Sequence, residues 1–336
     1  MSISRTERKA KRVVDDLLGS KHEAEILALQ RQIKKLEERN MSLIRGLEKS
    51  RELWGSTYTS PKVRKAPKKK TSQKFYVRVA ITDTHGIHID IPSRDALLND
   101  LEVLNPEEVV FLGDHMDCGS VISRFQVMYM KELSHGLADD RAAAADFLDL
   151  VQARCPNADF YYLQGNHERR VERWAIETFK HAKDMEHAIA TYGPEQALHL
   201  QERGIKFFTG HECHQGLTDP GMIRLGECMF THGYARGLHA AYNHLVKYGV
   251  NVVHGHNHRS QSYIKRAANK IAIGAWCAGC LCEIQPYYFH TEATDHTNGY
   301  HVQFVNKRTG EFAPWNVPIL NGVSVLPNVR EILVRK

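Results

Sequence analysis

The stretch VVFLGDHMD, residues 109–117, carries the pattern that indicates the fold of this sequence. An uninterrupted apolar run is followed by Gly113, Asp114 and, three residues later, Asp117. A short apolar run that ends at a glycine predicts a buried strand followed by a tight turn. Because ligands of open α/β sheets bind beyond the carboxyl ends of the strands, we expect both carboxylates to lie in a site.

The same arrangement recurs along the chain, each time as an apolar run that ends in Asp, Asn or His beside a glycine. The four further stretches are VAITDTHG at 79–86, YYLQGNHERR at 161–170, MFTHGY at 229–234 and VVHGHNH at 252–258. Predicted helices at 93–104, 139–154 and 235–249 lie between the strands, and residues 262–313 are rich in strands. Strands that alternate with helices predict an α/β domain, so five polar clusters should meet at one rim.

Residues 1–54 contain no proline and are rich in Lys, Arg, Glu and Leu, which predicts a helix. From residue 26 to residue 47 the core positions are spaced alternately by three and four. The a positions hold Ile26, Ile33, Asn40 and Leu47, and the d positions hold Leu29, Leu36 and Leu43. This combination favours a parallel two-stranded coiled coil, so we expect a homodimer through residues 26–47. An amphipathic helix packed on its own domain is the alternative.

Residues 55–74 are predicted to be a flexible linker with a strong positive charge. The segment contains no acidic residue, and its prolines and self-repelling charges oppose a packed structure. We expect it to contact nucleic acid phosphates, with DNA favoured, and a solvated tether is the alternative. The basic residues of this predicted tether are Lys62, Arg64, Lys65, Lys68, Lys69 and Lys70.

The bulk composition is that of an ordinary soluble protein, with 336 residues, 42% hydrophobic residues and a net charge of +6. No apolar run approaches the roughly 20 residues that span a bilayer, and the charged N-terminus is unlike a secretory signal. We therefore expect a cytoplasmic protein with no membrane partner and with its seven cysteines reduced. Cys277, Cys280 and Cys282 are expected to be buried thiols, with a zinc site shared with the GHECH stretch at 210–214 as the alternative.

Taken in order, the five clusters resemble the motifs of the calcineurin-like metallophosphoesterase superfamily. The superfamily pattern is D-x-H, G-D-x-x-D, G-N-H-D/E, a lone His and G-H-x-H, and here it reads DTH, GDHMD, GNHE, THG and GHNH. The resemblance covers roughly residues 75–285 and is closest to the DNA-repair exonuclease branch. It implies a layered β-sandwich flanked by helices, with a catalytic domain at 75–336 and a helical insertion around 171–225.

The resemblance also implies two divalent cations, Mn²⁺ before Fe, Ni or Zn, and a hydroxide between them that attacks phosphorus. Imidazole and oxygen ligands suit such ions. One ion would be bound by Asp83, His85, Asp114 and His258, and the other by Asp114, Asn166, His232 and His256.

Other residues of the motifs receive their roles from the same resemblance. His167 would be catalytic, stabilising the transition state or protonating the leaving oxygen. Asp117 and Glu168 would orient imidazole rings, and Arg169 and Arg170 would bind the substrate phosphate. His254 is expected to be structural and not a ligand.

The substrate is predicted less directly than the reaction. Protein phosphatases of the superfamily carry arginines where this sequence has Cys118 and Gln164, and they lack the G-H-x-H form. We therefore expect a phosphodiesterase, most simply a DNA nuclease. The alternatives are a phosphomonoesterase acting on proteins or nucleotides, in which Arg169 and Arg170 replace the missing clamp, and a small-molecule phosphodiesterase. A scaffold with a vestigial site is disfavoured because no ligand position is missing.

Overall fold

The computed structural model describes residues 30–32, 34–35, 74–122, 136–266, 272–285, 293–324 and 326. The chain divides into two units, 1–59 and 60–336. Residues 30–32 and 34–35 are helical, and the rest of the predicted coiled coil lies outside the described residues, as does the basic linker up to residue 73. The homodimer and the nucleic acid tether therefore stay predictions.

The strands and helices of the second unit follow the alternation predicted from the sequence. The strands are β1 (Phe75–Ile81), β2 (Glu108–Phe111), β3 (Asp159–Leu163), β4 (Ile205–Phe208), β5 (Met222–Leu225), β6 (Cys228–Thr231), β7 (Val252–His254), β8 (Ser260–Lys265), β9 (Ile273–Ala278), β10 (Gly299–Asn306), β11 (Phe312–Leu320) and β12 (Val323–Ser324). The helices are α1 (Ile91–Leu104), α2 (Gly119–Ile122), α3 (Leu137–Arg154), α4 (Arg170–Thr178), α5 (Ala182–Tyr192), α6 (Pro194–Ala197) and α7 (Ala240–Tyr248).

The strands form two sheets. The first has the order β12-β11-β10-β1-β2-β3-β4, and the second has the order β5-β6-β7-β9-β8. Strands β1 to β4 are parallel to one another, as are β6, β7 and β9, so their carboxyl ends lie along common edges. Two sheets with accompanying helices confirm the predicted layered α/β architecture.

The faces of the two sheets share one apolar core. The first sheet contributes alternate residues of its parallel strands, and the second sheet contributes residues of β5, β6, β7 and β9. The core residues are Ala80, Val110, Leu112, Tyr161, Leu163, Ile223, Leu225, Cys228, Phe230, Val253 and Trp276. Burial of each large apolar side chain contributes about 1.5–3 kcal/mol to the stability of the fold. The shared core therefore holds the two sheets together, and with them the carboxyl ends of their parallel strands.

One charged side chain, Arg78 of β1, lies inside the molecule with only 1% of its surface exposed. Its Nε donates to Glu108 Oε2 at 2.6 Å, and its Nη1 donates to Gln303 Oε1 at 2.9 Å. Nη1 also reaches the carbonyl oxygen of Leu225 in the second sheet at 3.2 Å. A buried charge is tolerated only when it is paired and hydrogen-bonded, and here those bonds also connect the sheets.

The segment predicted as a helical insertion around 171–225 is helical only as far as Ala197. Residues Ile205–Phe208 form β4, which pairs in parallel with β3 and extends the first sheet. Residues Met222–Leu225 form β5, the edge of the second sheet. The second half of the segment is thus part of the sandwich. Its two apolar runs form four-residue strands, β4 and β5, which pair with β3 and β6.

None of the described helices has the length and apolar character needed to cross a bilayer. All seven cysteines lie among the described residues, and each is a free thiol.

We predict that Glu108→Ala lowers the free energy of unfolding by about 3 kcal/mol, because it leaves the Arg78 charge buried without its carboxylate. Glu107→Ala is the matched control, since Glu107 forms an exposed ion pair with Lys307 at 2.7 Å. Such a pair contributes about 1 kcal/mol at most. Urea unfolding of both variants measures the difference. Equal losses in the two variants would show that Arg78 does not depend on Glu108.

Candidate metal centre

The predicted ligands lie where the strands end and the backbone turns sharply. Five of the seven adopt a left-handed conformation, which is uncommon outside glycine. Such conformations persist at functional sites when the surrounding structure enforces them. The five residues and their φ angles are Asp83 (50°), His85 (50°), Asp114 (54°), His256 (68°) and His258 (55°).

One cluster of ligand atoms lies between the ends of β1 and β7. His258 Nε2 is 3.2 Å from Asp83 Oδ1 and 3.1 Å from His85 Nε2. Ligand atoms of Asp83, His85 and Asp114 also lie within 4.8 Å of one another. The four residues assigned to the first ion by resemblance therefore come together in space.

A second cluster surrounds His232 at the end of β6. Its Nε2 is 3.0 Å from Asn166 Oδ1, 3.2 Å from His256 Nδ1 and 3.2 Å from Asp114 Oδ2. These are the four residues assigned to the second ion. Asp114 belongs to both clusters, so its carboxylate can bridge two cations.

The hydrogen bonds behind two of the rings direct lone pairs into the clusters. His85 Nδ1 is 3.0 Å from Asp117 Oδ1, and His232 Nδ1 is 2.9 Å from the carbonyl oxygen of Leu112. Both partners are acceptors, so each Nδ1 carries the hydrogen and, in a neutral ring, each Nε2 presents a lone pair. Lone pairs of neutral rings and carboxylate oxygens that converge in this way fit a divalent cation with mixed nitrogen and oxygen ligands.

The charges of the clusters support the same conclusion. Burial lowers the pKa of His232, but the carboxylates of Asp114 and Asp83 outweigh burial and raise it to about 10. Burial likewise lowers the pKa of His258, and Asp83 outweighs it and raises the pKa to about 9. The buried carboxylates thus require positive charge beside them, which either imidazolium protons or metal cations can provide.

Not every ring in the clusters holds a proton. Burial lowers the pKa of His85 to about 4, with the charge of His167 adding to the effect. Burial and then the charge of His232 lower the pKa of His256 to about 3. These two rings are neutral at physiological pH, which is the form that binds a metal.

The carboxylate of Glu168 fixes the backbone that carries these ligands. Its Oε2 accepts from the backbone N–H groups of Asp114 and Gly165, both at 2.9 Å. Its Oε1 accepts from the N–H groups of His115 at 2.7 Å and Met116 at 3.2 Å, and from the Tyr162 hydroxyl at 2.8 Å. The side chain is fully buried, so it joins the turn after β2 to the turn after β3. Contrary to prediction, Glu168 orients backbone and not an imidazole ring.

Two glycines let the turns approach each other closely. A Cβ at Gly165 would lie 2.2 Å from Asp114 Oδ1 and 2.7 Å from Glu168 Oε2. A Cβ at Gly255 would lie 1.8 Å from Thr82 Oγ1 and 2.6 Å from Asp83 Oδ2. Both positions therefore exclude any side chain, so these two glycines of the motifs are required by space.

Asp117, predicted to orient imidazoles, contacts two of them. Its Oδ1 lies 3.0 Å from His85 Nδ1 and 2.9 Å from His167 Nδ1. Arg170 donates to the carbonyl oxygen of Asp117 at 2.9 Å and lies 3.1 Å from His167 Nε2. Arg170 therefore supports the His167 ring, whereas Arg169 is exposed and its Nε lies 3.7 Å from Glu172 Oε2.

His254 has the structural role predicted for it. It is fully buried, and its ring stacks on His244 with a centroid distance of 3.7 Å. The thiols do not assemble as a zinc site would require: Cys213 Sγ donates to Thr218 O, whereas the buried Cys277 Sγ donates to Gly255 O. Among the described residues, no metal-binding cluster combines these two cysteines.

Two contacts of the site have no counterpart in the sequence motifs. Arg236 Nε donates to His256 Nε2 at 2.8 Å from the loop that follows β6. Cys282 Sγ lies 3.9 Å from His258 Nδ1. Arg236 carries no signal in the sequence, because a lone arginine in a loop has no characteristic spacing, and the spacing of Cys282 from Cys277 and Cys280 does not indicate a contact with His258.

Neither a scan against protein-family models nor a search of curated proteins finds a match for the sequence. Among solved structures, the chain is similar to a single mutant of Vps29 from Entamoeba histolytica, with 12% identity and a TM-score of 0.36 over 74% of this chain and 95% of that one. It is similar to Yfce, a phosphoesterase from E. coli, with 13% identity and a TM-score of 0.31 over 71% and 98% of the two chains. A dimetal phosphatase from Danio rerio matches with 12% identity and a TM-score of 0.33 over 70% and 94%. Likenesses this distant leave the function to be argued from the residues themselves.

We predict that Glu168→Gln lowers the free energy of unfolding by about 2–3 kcal/mol. An amide must direct its NH₂ group at backbone N–H donors on one side or the other, and a buried donor without an acceptor is costly. Glu172→Gln, one turn further along, is the control and should cost less than about 1 kcal/mol because Glu172 is only half-buried. Urea unfolding compares them, and similar losses would contradict the role of Glu168.

We also predict that Mn²⁺ binding at pH 7.5 releases about two protons, because His232 and His258 hold protons without metal and must lose them to bind it. Both pKa values lie above 7.5. Metal affinity should therefore fall as the pH is lowered. Calorimetry in buffers of different ionisation enthalpy counts the protons. A buffer-independent binding enthalpy would show that the rings are already neutral.

Proposed function

We propose that this chain is a metal-dependent phosphoesterase. The observation that carries the proposal is the pair of four-residue clusters that share the Asp114 carboxylate. Asp83, His85, Asp114 and His258 would hold one divalent cation, and Asp114, Asn166, His232 and His256 would hold the other. Two such ions clamp a phosphoryl group from both sides and activate the attacking water. Mn²⁺ is the cation we propose, since the mixed imidazole and oxygen ligands suit it.

His167 is proposed as the catalytic proton donor. Its Nε2 lies 3.8 Å from Asp114 Oδ2, which places the ring beside the shared ligand. Burial lowers the pKa of His167, but Asp114 and Asp117 outweigh burial and hold that pKa above its ordinary value. A raised pKa favours the protonated ring, which can give a proton to a leaving oxygen. Asp117 fixes the ring from its Nδ1 side.

We propose that the bond cleaved is a phosphodiester and that the substrate is DNA. At the two positions where protein phosphatases of the resembled superfamily carry a phosphate clamp, the side chains here are uncharged and buried. Cys118 is fully buried, and the Gln164 amide bonds to Gly210 N and to Glu172 Oε1. A dianionic monoester would therefore lack its paired arginines, whereas a diester carries one negative charge less. The predicted basic tether and coiled-coil dimer would add affinity for a long polyanion.

With Mn²⁺ present, we predict hydrolysis of linear DNA and of bis-p-nitrophenyl phosphate, and little or none of p-nitrophenyl phosphate. Asp114→Asn should lower every rate by at least about 100-fold, because the shared ligand loses the charge that binds both ions. Release of nucleotides and of nitrophenol measures the rates on single-stranded DNA, double-stranded DNA and the two small esters.

Cleavage of the monoester alone would overturn the diesterase proposal and favour a phosphomonoesterase with Arg169 or Arg170 at the phosphate. Equal rates for the wild type and Asp114→Asn would assign the activity to a contaminant and contradict the phosphoesterase proposal itself.

A further inference from the structure

A cavity of about 550 Å³ opens beside the second ligand cluster. It is large enough for a nucleotide-sized ligand, since small-molecule pockets span roughly 300–1,000 Å³. Its wall includes two residues of the cluster and four arginines: Asn166, His256, Arg169, Arg170, Arg173 and Arg236.

The arginines reach the cavity from two separate elements. Helix α4 buries Val171 and Ala175 against the domain, while Arg169 and Arg173, one turn apart, are exposed on another side. Arg236 approaches from the loop after β6 and donates to His256 Nε2 at 2.8 Å. The cavity therefore has positive charge on two walls and the predicted metal ligands beside it.

Two of the four arginines have carboxylate partners, since Arg170 Nη1 lies 3.6 Å from Asp117 Oδ2 and Arg169 lies beside Glu172. Glu172 is the one carboxylate that lines the cavity among the described residues, and its Oε1 already accepts from Gln164 Nε2 at 2.8 Å. Its other oxygen lies 3.7 Å from Arg169 Nε.

Within the described part of the chain, neither Arg173 nor Arg236 forms an ion pair with a carboxylate, so both guanidinium groups are available to an anion. Arg236 contacts His256 through Nε, which donates to the ring Nε2 at 2.8 Å. This contact leaves the two Nη groups of the guanidinium, with their paired donors, for a ligand in the cavity.

We propose that this arginine-lined cavity binds a second phosphate of the substrate, next to the phosphate that is hydrolysed. The inference rests on the proposed phosphoesterase function and narrows its substrates to molecules with at least two neighbouring phosphates. Guanidinium groups suit phosphate because they offer paired donors in one plane. A polynucleotide and a phosphoanhydride share this chemistry.

The test compares two pairs of ligands that carry one phosphate against two: thymidine 5′-monophosphate with the dinucleotide pTpT, and AMP with ADP. Dissociation constants are measured by calorimetry on the full chain, with Ca²⁺ in place of Mn²⁺ to suppress turnover and with the ligands checked for integrity afterwards. The variant is Arg173→Gln/Arg236→Gln. The control variant is Arg224→Gln/Arg308→Gln, which removes two exposed arginines from β5 and from the turn between β10 and β11.

In the cavity variant we expect the dissociation constant of pTpT to rise about tenfold or more, as the loss of charged hydrogen bonds implies. That of thymidine monophosphate should change less than about twofold, and the control variant should match the wild type. A parallel loss for ADP but not pTpT would identify a phosphoanhydride as the source of the second phosphate.

Equal losses for both members of each pair, or no loss for either, would overturn the inference. These outcomes are separable from failure of the proposed function. A chain that shows the selective loss but hydrolyses no phosphodiester contradicts the function alone, and an active chain without the selective loss contradicts the cavity alone.

Discussion

Five hydrogen bonds to one buried carboxylate, that of Glu168, hold the arrangement on which the rest of the site depends. They join the turn after β2, which carries Asp114, to the turn after β3, which carries Asn166. Asp114 belongs to both ligand clusters, so a shift of its backbone would disturb both at once. The acid contributes no ligand of its own, and its effect on the site is entirely geometric.

The site also contains buried charges and strained backbone, which lower the stability of the fold. Asp83 and Asp114 are buried together with several imidazole rings, and five of the seven predicted ligands have left-handed backbones. Each such conformation is worth about 1–3 kcal/mol of strain, which the packed sandwich and the close-fitting glycines sustain. Buried charges and unfavourable backbone conformations both lower the stability of the fold. Their combination is typical of sites selected for chemistry and not for stability.

The sequence indicated the strands, their order of polar motifs and the seven ligands that the structure brings together, because apolar runs and glycines carry local signals. It did not indicate that Glu168 binds backbone groups, since one carboxylate can accept from any donor that the fold supplies. Strand β4, Ile205–Phe208, was not predicted because Lys206 interrupts its short apolar run. Arg173 and Arg236 were not singled out, because their proximity arises only when α4 and the loop after β6 meet.

The ligands come from both layers of the sandwich. Asp83, His85, Asp114 and Asn166 follow strands of the first sheet, whereas His232, His256 and His258 follow strands of the second. Each ion bound there would tie one layer to the other, as a disulfide does for two distant segments. Its binding free energy would add to the free energy of unfolding, because the separated sheets cannot present the same ligands. The metal centre is then a cross-link of the fold, and loss of the ions would loosen this edge of the sandwich before its apolar interior.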